Sequence, residues 1–128
     1  MSLTNSFETS VLTWLLTTGT PSPVRPTAWY LGLFTAAPGE AGGGTELSGN
    51  AYARQSITFT VSGDTASNNA ALEFPTATAS WGTITHIAVF DALTVGNMIA
   101  YATLTASKVI DTGDVLRVPS GDLDITLN

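Results

Sequence analysis

The amino-acid sequence predicts an all-β fold, an antiparallel β-sandwich of about eight strands that follows one short N-terminal helix. Apolar residues recur at helical spacing only near the N-terminus, whereas from Ala28 onward they alternate with polar residues at a period of two. Turn residues separate these alternating runs at the spacing typical of sandwiches and barrels. Because no helical pattern lies between strands, a βαβ topology is excluded.

The helix is predicted from the residue types at its start and along one face. Asn5 is the expected N-cap, Glu8 stands where a capping-box acid belongs, and Gly19 is the expected C-terminal stop. An apolar stripe is formed by Phe7, Val11, Trp14 and Leu15, widened by Leu12 and Leu16. A helix of about three turns is marginal alone, so the stripe must dock either on its own domain or on a neighbouring subunit.

The segment TPSPVRPT holds three prolines, Pro21, Pro23 and Pro26, and predicts an extended connector. We therefore predict a helix and connector over residues 1–27 and a β-sandwich domain over residues 28–128. The predicted strands are AWYLGLFTA, buried on both faces, then YARQSITFTV, AALEFP, TITHIAVFDA, MIAYATL, SKVID, VLRVPSGD and LDITL. The sequence LTVGN supplies the turn of a hairpin.

The composition excludes several classes of partner. The net charge is −6, and the four basic residues, Arg25, Arg54, Lys108 and Arg117, are scattered. We therefore expect binding neither to nucleic acid nor to an anionic membrane. There is no cysteine, no apolar run long enough to span a bilayer, and no basic region typical of a secretory signal. Charged residues make up only 11% of the chain, which suits a surface that contacts other proteins.

The glycine-rich stretch GEAGGGTELSGNAYARQ raises the question of a phosphate-binding loop. No lysine follows the glycines, a strand rather than a helix comes next, and Glu40 and Glu46 would repel an anion. We expect instead a flexible, exposed connector over residues 39–50 that can order against a partner.

The remaining candidates for catalysis, metal binding or glycan binding each have a structural alternative. His86 is the only histidine, and no GxSxG motif accompanies it. The turns DTGD and SGDLD offer carboxylates for calcium but lack EF-hand spacing. Glu73 and Asp91 are a conceivable carboxylate pair, and the tryptophans a conceivable sugar platform. We predict no enzymatic activity, no cofactor and no metal.

Residues 29–127 resemble a family of small virion proteins of tailed bacteriophages. The resemblance lies in the strand ending LFTAAP, the glycine-rich loop closing in YARQ, the turn SWG before a strand ending VFDA, and the paired closing strands. Members are labelled tail fibre proteins, and some are similar to capsid decoration, or cement, proteins. The resemblance implies a jelly-roll-like sandwich used in particle assembly; it does not extend to the N-terminal helix.

We expect a decoration protein on the capsid exterior, since the chain is short and shows no shaft repeat. Its partners would be the major capsid protein and copies of itself as a dimer or trimer. The alternatives are a tail or tail-fibre component that contacts tail proteins and the host, and a glycan-binding sandwich. The predicted contact residues are Gly42, Gly43, Gly44, Glu46, Tyr52 and Arg54 of the loop, with Phe7, Val11, Trp14 and Leu15 of the helix. Arg54 would meet an acidic groove on the shell or, alternatively, pair with Glu46 or another local acid.

Overall fold

The computed structural model describes residues 1–127 and consists of one helix and eleven strands. The helix, α1, spans Asn5–Leu16. The strands are β1 Ser2–Leu3, β2 Tyr30–Ala36, β3 Thr45–Glu46, β4 Gln55–Ser56, β5 Phe59–Ser62, β6 Thr65–Asn68, β7 Leu72–Glu73, β8 Gly82–Phe90, β9 Met98–Ile110, β10 Arg117–Val118 and β11 Asp124–Thr126. Within residues 1–127, no helix has the length and apolar character needed to cross a membrane.

The strands form three antiparallel sheets. The largest follows the order β1-β9-β8-β2-β3, and β4 pairs with β2 beside β3. The second has the order β11-β6-β5, and β10 pairs with β7. The predicted all-β sandwich with one short N-terminal helix is therefore confirmed. The predicted sandwich domain ends at residue 128, which lies outside the described residues.

The central strand β2 is buried on both faces, as its apolar sequence predicts, and so are residues 87–90 of its neighbour β8. Leu31 and Leu33 of β2 point into the main core, where they meet Ile87 and Val89 of β8. On the opposite face, Phe34 stacks on Phe90 with ring centroids 6.1 Å apart. Each large side chain buried in this way contributes about 1.5–3 kcal/mol.

One predicted strand, YARQSITFTV, is divided between two sheets. Its first part, β4, pairs with β2, and its second part, β5, pairs with β6. The chain changes sheet at Ile57, whose amide donates to the carbonyl of Trp29 while its side chain is buried. A chain that passes between the two layers in this way forms a corner of the sandwich. Val61 of β5, which is an edge strand of its sheet, is 71% exposed.

Two further differences from the sequence prediction concern strand number and the helix ends. The runs MIAYATL and SKVID join into the single strand β9, while the polar β6 was not predicted. The N-cap is Thr4, not Asn5, and its hydroxyl donates to the carbonyl of Met98 at 2.7 Å instead of capping the helix. The helix ends at Leu16, before Gly19, with Thr17 as its C-cap.

Candidate functional site: the interaction surfaces

The glycine-rich segment forms a hairpin rather than a flexible arm. Gly39 and Gly42 exchange backbone hydrogen bonds of 3.0 and 2.9 Å, and Thr45 then pairs with Ala36 of β2. Gly44 has a φ of 76°, and a Cβ atom there would lie 2.7 Å from the carbonyl oxygen of Ala36. Only glycine fits this close approach of backbone to backbone. The hairpin is therefore folded within the single chain, and contact of Gly42, Gly43 and Gly44 with a partner stays a prediction.

Glu40, at the tip of this hairpin, holds it against the start of α1. Its carbonyl accepts a hydrogen bond of 3.0 Å from the amide of Asn5. Its carboxylate accepts from the hydroxyl of Tyr101 in β9, and this bond raises the pKa of the tyrosine. The glycines that follow include Gly43, which is exposed and whose Cα faces open space.

Glu46, Tyr52 and Arg54 form one hydrogen-bonded cluster. Arg54 donates from Nε and from one terminal nitrogen to the two carboxylate oxygens of Glu46, at 2.7 and 2.8 Å. The hydroxyl of Tyr52 donates to Glu46 at 2.7 Å and accepts from the amide of Leu33 at 3.0 Å. Burial, together with the neighbouring carboxylate, raises the pKa of Tyr52.

Arg54 also ties this cluster to the turn between β8 and β9. Its other terminal nitrogen donates to the carbonyls of Ala92 and Val95, both at 2.8 Å. Its guanidinium lies 3.5 Å from the ring centroid of Phe90. The Arg54 side chain is only 7% exposed, so it pairs with Glu46 and is not an exposed anchor for an acidic groove. Of the two alternatives for Arg54, the structure shows the pairing with Glu46, and a direct contact of either residue with a partner stays a prediction.

The predicted apolar stripe of α1 is divided between the core and the surface. Phe7 is buried in the main core and Val11 is half-buried, so the first two turns dock on their own domain. Trp14 and Leu15 are 68% and 62% exposed, so the rest of the chain leaves the last turns of α1 largely uncovered. Leu12 and Leu16 are also exposed. We call residues 12–16 the helix end; it presents four large apolar side chains and no charge.

Two apolar grooves flank α1 and meet at Val11. The connector groove, about 460 Å³, lies between Trp14 and the prolines Pro21 and Pro26. The strand groove, about 520 Å³, lies between α1 and the second sheet. Its apolar lining includes Leu3, Val11, Trp29, Phe59, Val61, Ile125 and Leu127.

The sequence matches the family described as podophage GP4 fiber I protein gp80 over residues 2–126. The chain belongs to this family. It is therefore a structural protein of a tailed-phage virion. The matched region includes α1, which the resemblance seen in the sequence did not cover. No curated protein matches the chain.

The other polar residues considered for chemistry make local contacts in this gp80-family protein. His86 Nδ1 lies 2.7 Å from the hydroxyl of Thr85. Asp91 accepts from the amide of Asn97, and Asp114 accepts from the amide of Asp111, so both serve turns. In the described part of the chain, residues 1–127, no three metal-ligating side chains converge.

The aromatic residues of the gp80-family chain do not form one platform. Trp81 is buried in the main core and meets Tyr52 edge to face at 5.7 Å. Trp29 is half-buried in the strand groove, whereas Trp14 is exposed on the helix end. The sequence predicts the apolar stripe of α1, but it does not indicate which residues of that stripe are exposed.

Proposed function

We propose that this gp80-family protein is a non-enzymatic subunit of the phage fibre apparatus and is held in the virion by contacts of its helix end. The observation that carries the proposal is the exposure of four large apolar side chains on two helical turns, 57% for Leu12, 68% for Trp14, 62% for Leu15 and 73% for Leu16. The description of the family as a fibre protein supports the fibre over other virion locations.

The exposed area of the helix end supplies a large part of what a protein interface needs. The four residues together present on the order of 500 Å² of mostly apolar surface, within the range of the largest apolar patch on a typical monomer. A standard interface buries about 800 Å² on each partner. Covering the helix end and part of an adjoining groove reaches this size, and the aromatic Trp14 is of the residue type that carries binding energy.

Capsid decoration is the second candidate, and the composition favours it. A chain with only 11% charged residues suits a subunit surrounded by other protein on the shell. In that case the helix end would contact the major capsid protein on the capsid exterior. The same surface therefore serves both proposals, which differ in the partner.

Gold-labelled antibody on purified virions tests the proposal. Label confined to the tail or to fibres, with few copies per particle, is the expected result. Label spread over the head, with hundreds of copies, would replace the fibre role by decoration. A glycan array with the purified protein tests the remaining alternative, and saturable binding to one glycan would favour a glycan-binding domain.

A further inference from the structure

We infer that the open edge of β9 binds an extended segment of another virion protein, which adds to the sheet in line with β1. The segment is uncharged and carries apolar residues at alternate positions. The inference rests on the proposed function as a virion subunit, and it adds a second contact, made by the backbone of a strand rather than by the helix end.

β1 closes one side of the sandwich over a short length. Ser2–Leu3 pairs with residues 100–101 of β9, and on the other side the amine of Met1 donates to the carbonyl of Asp124 in β11 at 2.8 Å. β1 therefore lies between the edges of two sheets. β9 continues to Ile110, far beyond the residues that β1 covers. In the described residues 1–127, the only other strand that pairs with β9 is β8, on its opposite edge.

The register identifies the first free backbone groups of this edge. The amide of Thr4 donates to the carbonyl of Ile99 at 2.9 Å, and Ser2 pairs with Tyr101. Along a strand, every second residue directs its N–H and C=O to the same edge, so Thr103 directs both groups to the edge that β1 occupies. Over residues 1–127, neither group has a hydrogen-bond partner there. Such unpaired groups are a template for a further strand.

A groove beside this edge gives an added strand an apolar surface to cover. It begins beside β1, runs between β9 and the strands β10 and β11, and has a volume of about 570 Å³; we call it the edge groove. Its lining includes Leu33 and Ile87 of the main core, together with the half-buried Leu104, Leu116 and Leu123. Inward-facing side chains of the added strand would therefore be apolar, and the outward-facing ones polar.

A bulge in β9 limits how far the added strand can pair regularly. Residues 104–107 of β9 lie opposite the single residue Thr85 of β8. Bulges twist an edge strand and interrupt its ladder. We therefore expect regular pairing close to β1, at Thr103 and its neighbours, and a contact that supplements the helix end.

The segment has to come from another protein. The first residues of the chain are paired in β1, the last strand, β11, is paired with β6, and the amide of Leu127 donates to the carbonyl of Asp64 at 3.0 Å. The described residues 1–127 thus offer no free end as a donor. The β9 strand of a second copy is fixed in its own sheet, so it cannot enter a groove between two layers as a single strand.

The charges around the edge groove favour an uncharged segment. Four charged side chains line it, the basic Lys108 and Arg117 and the acidic Asp122 and Asp124. Two positive and two negative side chains balance one another, although the chain as a whole has a net charge of −6. A strand without charges therefore meets neither attraction nor repulsion of one sign, and it leaves no charge unpaired in the groove.

An N-terminal extension tests the edge in the isolated chain. Four residues placed before Met1 would continue β1 along β9, the nearest opposite Thr103 and the next opposite Leu104. The extension Val-Thr-Val-Thr places valine on the inward side, whereas Thr-Val-Thr-Val places it outward and is the matched control. Relative to this control, we expect the first extension to raise Tm by at least about 3 °C and to slow exchange of the Thr103 amide at least about tenfold.

Purified virions test the partner. By mass spectrometry, we expect residues 102–107 to exchange their amide hydrogens at least about tenfold more slowly in virions than in the free chain. Thr103→Pro removes the free N–H but should keep the fold, because proline is tolerated where a strand N–H faces solvent. Thr103→Val keeps the N–H and is the control. We expect Thr103→Pro to lower the copy number in virions several-fold and Thr103→Val to leave it unchanged.

Three results would overturn the inference. They are equal Tm values for the two extensions, unchanged exchange of residues 102–107 in virions, and a wild-type copy number for Thr103→Pro. A dimer of the free chain that Thr103→Pro abolishes would assign the edge to a second copy and would also overturn it. The extension experiment uses the isolated chain, so its result is separate from the immunogold result, which tests the proposed function.

Discussion

Replacing Arg54 by alanine is expected to destabilise the domain rather than to remove an exposed contact. The side chain makes two hydrogen bonds to Glu46 and two to the carbonyls of Ala92 and Val95, and it covers the ring of Phe90. The substitution leaves the partly buried Glu46 carboxylate with the Tyr52 hydroxyl as its remaining donor, and it removes the donor to the two carbonyls. It also removes the side chain that joins the β2–β3 hairpin to the β8–β9 turn.

The magnitude follows from the burial of the pair. The Arg54 and Glu46 side chains are 7% and 24% exposed, so the ion pair is largely shielded from water. Removing one partner of such a pair costs about 3–5 kcal/mol, because the other charge stays in place without compensation. Single domains are stable by about 5–15 kcal/mol, so Arg54→Ala is expected to remove a large part of the total.

Urea unfolding followed by tryptophan fluorescence measures this loss, since Trp81 lies in the core against Tyr52. Arg117→Ala is the control, because Arg117 lies 3.9 Å from Glu73 and both side chains are exposed. Exposed pairs contribute about 0–1 kcal/mol, so the control should stay close to wild type. If Arg54→Ala lost less than about 1 kcal/mol as well, the cluster would not have the structural role assigned here.

Two further predictions concern the same region. Gly44→Ala should lower the free energy of unfolding by more than about 2 kcal/mol, because the new Cβ atom would clash with the backbone of residue 36. Gly43→Ala should lower it by about 1 kcal/mol, since a Cβ atom there meets no neighbouring atom. Equal losses for the two variants in urea unfolding would contradict the tight hairpin. Since the folded state raises the pKa of Tyr52, stability should fall as the pH rises above about 10, and Tyr52→Phe should show a shallower fall than wild type in the same titration.

The fold class could be predicted from the sequence because the alternation of apolar and polar residues is typical of half-buried strands. The change of sheet at Ile57 could not be predicted. The alternation continues through YARQSITFTV, whereas the hydrogen-bond partners of this segment change from β2 to β6. Side-chain alternation carries no information about which strand lies alongside. The polar strand β6 was missed for a related reason, since its pairing with β5 and β11 does not require an apolar face.

For the candidate site, the sequence identified residue types but not their exposure. Phe7 and Trp14 lie on the same face of α1, yet one is 5% and the other 68% exposed. The difference arises because the rest of the chain covers the helix at Phe7 but not at Trp14. Arg54 has the residue type of an interface anchor, but Glu46 lies opposite it only after the hairpin has folded. Both outcomes depend on contacts between distant parts of the chain.

Three hydrogen bonds hold the residues at and just before the start of α1, and they fix the direction in which the helix end points. The N-terminal amine donates to the carbonyl of Asp124 at 2.8 Å, Thr4 bonds to β9 at 2.7 Å, and the amide of Asn5 donates to Glu40 at 3.0 Å. A helix held at its base loses little conformational freedom when its exposed end is bound, and binding is stronger for that reason. The buried cluster around Arg54 and Glu46 acts indirectly, because it braces the hairpin that carries Glu40. Under the proposed function, these residues position the helix end without contacting the partner themselves.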